Sequence, residues 1–300
     1  LNIEAHNIYL KIPNISDYSL LVLCNDWGMT ERKIIQDFLQ QGKNSICIQE
    51  SSIDFNSIDN RMRYCSFPVF QGVASLQNFD LNQKICAVIG NPRFETLKVE
   101  PFPNVIKAFI NVNFTYGVFE EFRYQWVEDI VSSCFDLNID YVLSQHPRDN
   151  GDLSNYNLLK SNASLVHETI KSCSVVISRF SALLIEAVCL GRPAIYYNPH
   201  GEDMHYKFET DNKMFFCANN KEELKAAMAI IISLTSVGDN SDSEFVNKHL
   251  GMTSSGSASH YINLFLKDAS RFPLLKKPSI WTKIKIYAII CKRILKKQGY

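Results

Sequence analysis

The chain has no surplus of charge of either sign: 31 lysines and arginines balance 31 aspartates and glutamates over 300 residues. That excludes the basic footprint of a dedicated nucleic-acid binder, so no nucleic-acid partner is expected. Paired-cysteine spacing is also missing. The nine cysteines are scattered from Cys24 to Cys291 without a CxxC pair. They read as small buried apolar residues in a reducing compartment, not as disulfides or zinc ligands. No run reaches the roughly eighteen apolar residues of a membrane span, and no signal-peptide pattern is visible. The absence of a Walker lysine loop and of GxGxxG removes support for ATPase and dinucleotide readings. No GxSxG elbow points to a serine hydrolase, and no repeat of fixed period is found. The chain starts at Leu1 rather than Met, with an early strand signal, so an N-terminally truncated protein is expected. What is present is 46% apolar sequence, enough to bury a sizeable core in one large or two ordinary domains.

The most informative stretch runs from Ser174 to Glu202, SVVISRFSALLIEAVCLGRPAIYYNPHGE. Val175-Val176-Ile177 predicts a buried strand. Ser178-Arg179-Phe180-Ser181 breaks it, and Ala182–Leu190 has helix-forming composition. Gly191 stops that helix, Pro193 prevents its resumption, and Ala194–Tyr197 predicts a second buried strand. The whole is one βαβ unit with a serine-bearing loop where strand feeds helix. In open α/β sheets such a loop receives phosphate, because free N–H groups and the positive helix end point at the ligand. Ser178, Arg179 and Ser181 add hydroxyl and guanidinium donors.

Upstream, Leu20–Cys24 predicts a strand delivering Asn25-Asp26-Trp27-Gly28, followed by a helix over Glu31–Gln41. Ser45–Ile48 predicts a strand ending in Gln49-Glu50-Ser51. Asp26 and Glu50 would then share the carboxyl edge of one parallel sheet. Ser51–Gln83 is polar and irregular and reads as an interdomain connection. Strand character resumes over Ile85–Ile89, ending in Gly90-Asn91-Pro92-Arg93. Val105–Val112 predicts the first strand of a second α/β unit, ending at Asn113, with a helix over Glu120–Phe135. Tyr141–Leu143 predicts a strand ending in His146-Pro147-Arg148, where Pro147 holds His146 extended. Met214–Ala218 and Glu222–Ile232 predict a last strand and its covering helix. From Arg271 onward nine basic residues occur without an acid, and Trp281 falls on an apolar helical face. That is a basic amphipathic helix able to meet an anionic membrane surface, or else a terminal packing helix.

Asn-Asp-Trp-Gly, then His-Pro 120 positions after Asp26, then a serine-rich strand–helix turn resemble the GT-B glycosyltransferases that use CMP-activated acidic sugars. Bacterial sialyltransferases carry an acidic, a His-Pro and a serine motif in that order. The QES, GNPRFE and SRFSALLIEA…GRPAIYYNPHGE segments are similar to the Kdo transferases of lipopolysaccharide and capsule assembly. GNPR also resembles the CDP-glycerol transferases of teichoic-acid synthesis. The resemblance covers Leu20 to Leu234.

The resemblance implies two Rossmann-like parallel-sheet domains facing a cleft, the N-terminal one incomplete. Residues 1–80 would be the end of the acceptor-side domain plus linker, 81–240 the donor-binding domain, and 241–300 C-terminal helices with a basic amphipathic end. It implies transfer of a sugar, first choice Kdo from CMP-Kdo, to a saccharide or lipid-linked acceptor. The alternatives are a CDP-glycerol or other nucleotide donor, a non-hydrolysing sugar epimerase, or a non-catalytic nucleotide-binding module. His146 would stabilise charge on departing CMP, with Ser178 and Ser181 on the same phosphate and Glu186 at the donor ribose. Arg93, Asn113, Pro147, Arg148 and Arg179 would complete the donor site. Asp26, with Glu50 beside it, would be the catalytic acid, acting as base or nucleophile. Trp27 directly after Asp26, where sialyltransferases have Gly, departs from that pattern. No cofactor or metal is implied, and the expected location is cytoplasmic, peripheral at the inner face of the inner membrane.

Overall fold

The computed structural model describes residues 4–50, 62–77, 79, 85–159, 163–204, 206–234, 243–253 and 256–269. The basic segment from Arg271 lies outside them. Two parallel sheets organise the chain. The first holds β1 (Leu20–Leu23), β2 (Asn44–Ile48), β3 (Phe67–Phe70) and β4 (Ala87–Val88) in that spatial order, with α1 (Met29–Gln40) crossing from β1 to β2. Ile46, Phe67 and Val69 have essentially no exposure, as parallel strands covered by helices require.

The second sheet holds β5 (Lys107–Val112), β6 (Asp140–Gln145), β7 (Val175–Ser178), β8 (Ala194–Tyr197) and β9 (Phe215–Ala218), in the order β6-β5-β7-β8-β9. Its helices are α2 (Arg123–Asp136), α3 (Ala163–Lys171), α4 (Ala182–Cys189) and α5 (Lys221–Ile232). Side chains alternate between the sheet's two faces. Ala108, Ile110 and Val112 of β5 meet Trp126, Ile130 and Met228 of α2 and α5. Phe109 points the other way, into a core with Val176, Leu184, Ile185 and Val188 of β7 and α4. Trp126 anchors the first of these cores, its indole N–H donating to the Tyr197 carbonyl at 2.9 Å. Its truncation to alanine would cost about 3–5 kcal/mol.

After α4, Gly191 adopts φ +76°, and a Cβ there would lie 2.8 Å from Val99, so helix stop and close approach coincide. The neighbouring Arg192 is buried and donates to the carbonyls of Lys171, Glu100 and Pro101. It thereby caps the carboxyl end of α3 and ties the segment entering β5 to the sheet.

The chain then returns to the first sheet. α6 (Glu244–His249) leads to a close crossing, where Gln71 Nε2 donates to His249 O and the Asn91 amide to Thr253 Oγ1. α7 (Ala258–Ala269) then packs Ala258, Ile262 and Leu266 against Ile46, Phe67, Val69 and Ile89. Two expectations are corrected. Phe67–Phe70 is a buried strand inside what reads as a connection. Ala87–Val88 pairs with β3, so a boundary at 80/81 would cut the first sheet. α3 was not foreseen.

Candidate functional site

Parallel strands present their carboxyl ends on one edge, and the winding of the second sheet reverses between β5 and β7. A crevice opens at such a reversal, which is where doubly wound sheets receive ligands. Here Asn113 follows β5, His146 follows β6, and Ser178–Ser181 joins β7 to α4. The three loops are bonded together: Asn113 Nδ2 donates to Phe180 O at 3.1 Å, and the His146 amide to Val112 O at 2.8 Å.

The serine loop divides into residues that hold the edge together and one that is open. Ser178 is fully buried, its hydroxyl 2.8 Å from Asn111 Nδ2 and donating to Asn111 O. Arg179 is also buried. Its Nε and Nη2 donate to Glu202 Oε2 at 3.1 and 2.6 Å, its Nη1 to two loop carbonyls, and its guanidinium lies over Phe114. Ser178 and Arg179, expected to offer donors to a phosphate, both bond within the fold here. Ser181 is half-buried and accepts from the Leu183 amide as the N-cap of α4, which leaves its O–H to donate outward.

Glu202, after β8, organises this loop; it closes the segment that sequence reasoning singled out but was given no role there. Its Oε1 accepts from the Phe180 amide and the Tyr196 hydroxyl, while Oε2 takes Arg179 and His200. Burial works to raise its pKa. Hydrogen bonds from His200 and Arg179, the Arg179 charge and the Phe180 amide outweigh that, holding the carboxyl at about 2.

His146, Pro147 and Arg148 are exposed. The Arg148 amide donates to His146 Nδ1 at 3.1 Å, so a neutral ring carries its proton on Nε2, as an outward donor. The turn is fastened by buried Asp149. That carboxylate accepts from the Phe114 and Gly151 amides and pairs with Arg123 Nε at 2.9 Å. Asp149 lies one residue beyond the His-Pro-Arg motif and was not singled out.

The carboxylates differ from expectation. Asp26 is fully buried, and three backbone N–H groups occupy it: Met62 on Oδ1, Tyr64 and Cys65 on Oδ2, at 2.6–3.0 Å. An acid so enclosed staples the 62–65 turn, and neither oxygen is open to an acceptor or a sugar. Glu50 is exposed at the carboxyl end of β2, its backbone held by Asn91 Nδ2, which donates to the carbonyls of Gln49 and Glu50 at 3.0 Å. Glu186 is buried on α4 and bridges the Arg93 guanidinium at 2.8 Å and the His167 imidazole of α3 at 2.7 Å. Sequence reasoning missed His167, because α3 itself was unread. Among the described residues no three His, Cys, Asp or Glu side chains converge as metal ligands, and no helix is long and apolar enough to cross a membrane.

Two parallel α/β sheets, a helix (α7) that returns to the first sheet, and a loop-lined carboxyl edge define a GT-B-like architecture. No family model and no curated protein matches the chain. Solved structures do. A putative UDP-N-acetylglucosamine 2-epimerase from Listeria monocytogenes matches with TM-score 0.60 at 14% identity, over 88% of this chain and 76% of that one. The glycotransferase of kitacinnamycin matches with TM-score 0.54 at 11% identity, over 84% and 76%. The Methanocaldococcus jannaschii UDP-GlcNAc 2-epimerase, solved with UDP-GlcNAc and UDP, matches with TM-score 0.50 at 14% identity, over 83% and 76%. At these identities the likeness is one of fold.

Proposed function

We propose that this protein is a nucleotide-sugar-dependent glycosyltransferase whose donor phosphate sits at the carboxyl edge of the second sheet. One observation carries this reading. On the carboxyl edge of the second sheet, His146 Nε2 and the Ser181 hydroxyl at the α4 N-terminus stay open to a ligand. Their neighbours Ser178, Arg179, Asp149 and Glu202 are locked in internal bonds. Donors immobilised before the reaction stabilise the negative charge that builds on a departing nucleotide without first reorganising. Arg148, exposed beside His146, adds positive charge. Asn113, Arg93 and Glu186 are assigned to the donor site as positioning groups rather than acids or bases. Glu50 is the open carboxylate of the first sheet and the candidate base for the acceptor hydroxyl.

Our first choice of donor is CMP-Kdo, on the motif order, with a saccharide or lipid-linked acceptor of bacterial surface-polysaccharide assembly. A second reading is favoured by the likeness to two epimerases: interconversion of a UDP-sugar without an acceptor. Calorimetry with CMP, CDP and UDP, followed by product analysis with the donor alone, separates them. A transferase leaves the sugar nucleotide stereochemically intact until an acceptor is added, whereas an epimerase inverts it unaided. His146→Ala should reduce turnover about 100–1,000-fold with the fold intact. Near-normal turnover in that variant, or no nucleotide binding by the unaltered chain, would overturn the proposal.

A further inference from the structure

The loop after β5, from Asn113 to Phe122, is built around an aromatic that the fold leaves uncovered. Tyr116 is 71% exposed, although a ring of its size would ordinarily find partial cover. Its backbone holds φ +62°, and Gly117 and Phe119 follow at +73° and +58°. For residues other than glycine this left-handed region is strained, and such conformations collect at ligand clamps and active sites. Local bonds hold the loop in this shape. The Gly117 amide donates to Glu120 Oε1 at 2.8 Å, the Phe114 amide to buried Asp149, and the Val118 carbonyl accepts from Arg179. Phe119 packs on His200, with ring centres 4.8 Å apart. The strained backbone therefore turns Phe119 inward and leaves Tyr116 outside.

What stands beside Tyr116 gives it a use. The Arg148 guanidinium lies 5.5 Å from the ring centre, and the Arg148 amide is the group that orients His146. A cation on one face of a phenol and open solvent on the other leave one flat surface, beside a positive charge on the turn that carries His146. A nucleotide has the matching parts in the matching order: a planar base, then an anionic phosphate.

We propose that Tyr116 is the stacking surface for the nucleobase of the donor, with Arg148 bracing the ring. This rests on the donor-site reading above and deepens it. Stacking on a π-face tolerates different bases, so this contact supplies affinity for a nucleotide over a bare phosphate and leaves discrimination between pyrimidines to hydrogen bonds elsewhere.

The test compares the unaltered chain with Tyr116→Ala and Tyr116→Phe, titrated with CMP, CDP, UDP and inorganic pyrophosphate. The substituted ring is exposed, so thermal midpoints should stay together. Tyr116→Ala should weaken the nucleotides about 5- to 150-fold, the span that base–aromatic stacking supplies, while pyrophosphate stays within about twofold. Tyr116→Phe should keep nucleotide affinity. Equal nucleotide affinity in Tyr116→Ala and the unaltered chain overturns the stacking role and leaves the donor-site reading standing. An equal loss of pyrophosphate and nucleotide affinity also overturns it, because the ring would then act on the phosphate site. No binding of any nucleotide by the unaltered chain overturns both.

Discussion

Asp26→Asn separates a structural from a chemical carboxylate. In the folded chain the aspartate accepts three backbone N–H bonds without solvent contact. One of these donors, Met62, sits at φ +63°, a conformation the carboxylate helps to hold. Asparagine keeps a single oxygen. If that oxygen serves Tyr64 and Cys65, its amide nitrogen faces the Met62 N–H, donor against donor. A hydrogen bond to a charged group contributes about 1.5–3 kcal/mol net, and an unpaired buried donor adds its own penalty. The substitution should therefore cost about 2–4 kcal/mol locally. At about 1.36 kcal/mol per tenfold, exchange of the 62, 64 and 65 amides should accelerate roughly 30- to 1,000-fold. Hydrogen exchange read by mass spectrometry on peptides spanning 62–66, together with a urea midpoint, would measure this. If exchange and midpoint are unchanged while turnover of the sugar nucleotide disappears, Asp26 is chemical and the reasoning is wrong.

The two serines of the loop should behave differently. Ser178→Ala leaves Asn111 without its partner and should cost about 1–3 kcal/mol of stability with little change in nucleotide affinity. Ser181→Ala should weaken nucleotide binding more than its cap loss of about 1 kcal/mol lowers stability; the opposite pattern in calorimetry and urea titration would exchange their roles. Glu202 has a folded pKa of about 2 against an ordinary 4.5, so its contribution is complete above pH 4.5 and lost as pH falls toward 2. That is worth about 3 kcal/mol, and Glu202→Gln should be less stable at pH 7 with a flatter acid limb. An unchanged acid limb in that variant would remove Glu202 as its source. For the basic segment from Arg271, flotation with anionic liposomes should need that segment and fall with added salt. Equal flotation of the intact chain and of one cut before Arg271 would leave the segment without a membrane role.

Much of the fold was legible because its signals are local. Buried parallel strands such as Val175–Ser178 and Ala194–Tyr197 appear as short runs of branched and aromatic residues, and Gly191 with Pro193 marks the stop between them. The Ser174–Glu202 unit is predicted and found with its ends shifted by no more than a residue. Phe67–Phe70 escaped notice because four apolar residues amid polar sequence carry no period that distinguishes a strand from a loop anchor. It becomes a strand only because β2 and α7 cover it. The weak signal of α3, nine residues long, hid His167 in the same way.

The sequence by itself determined which groups come to the carboxyl edges, since strand ends and turn residues follow from local patterning. Asp26, Glu50, His146, Ser178 and Ser181 all stand where strands finish. Only the tertiary structure decided which of them remain free. Asp26 is enclosed by a turn 36 residues further along the chain, Ser178 by an asparagine 67 residues before it, and Arg179 by Glu202 from the loop after the next strand. Whether a polar side chain is a ligand or a brace depends on what desolvates it and what it is bonded to. Those partners are distant in sequence, and the residue's type and spacing are the same in either role.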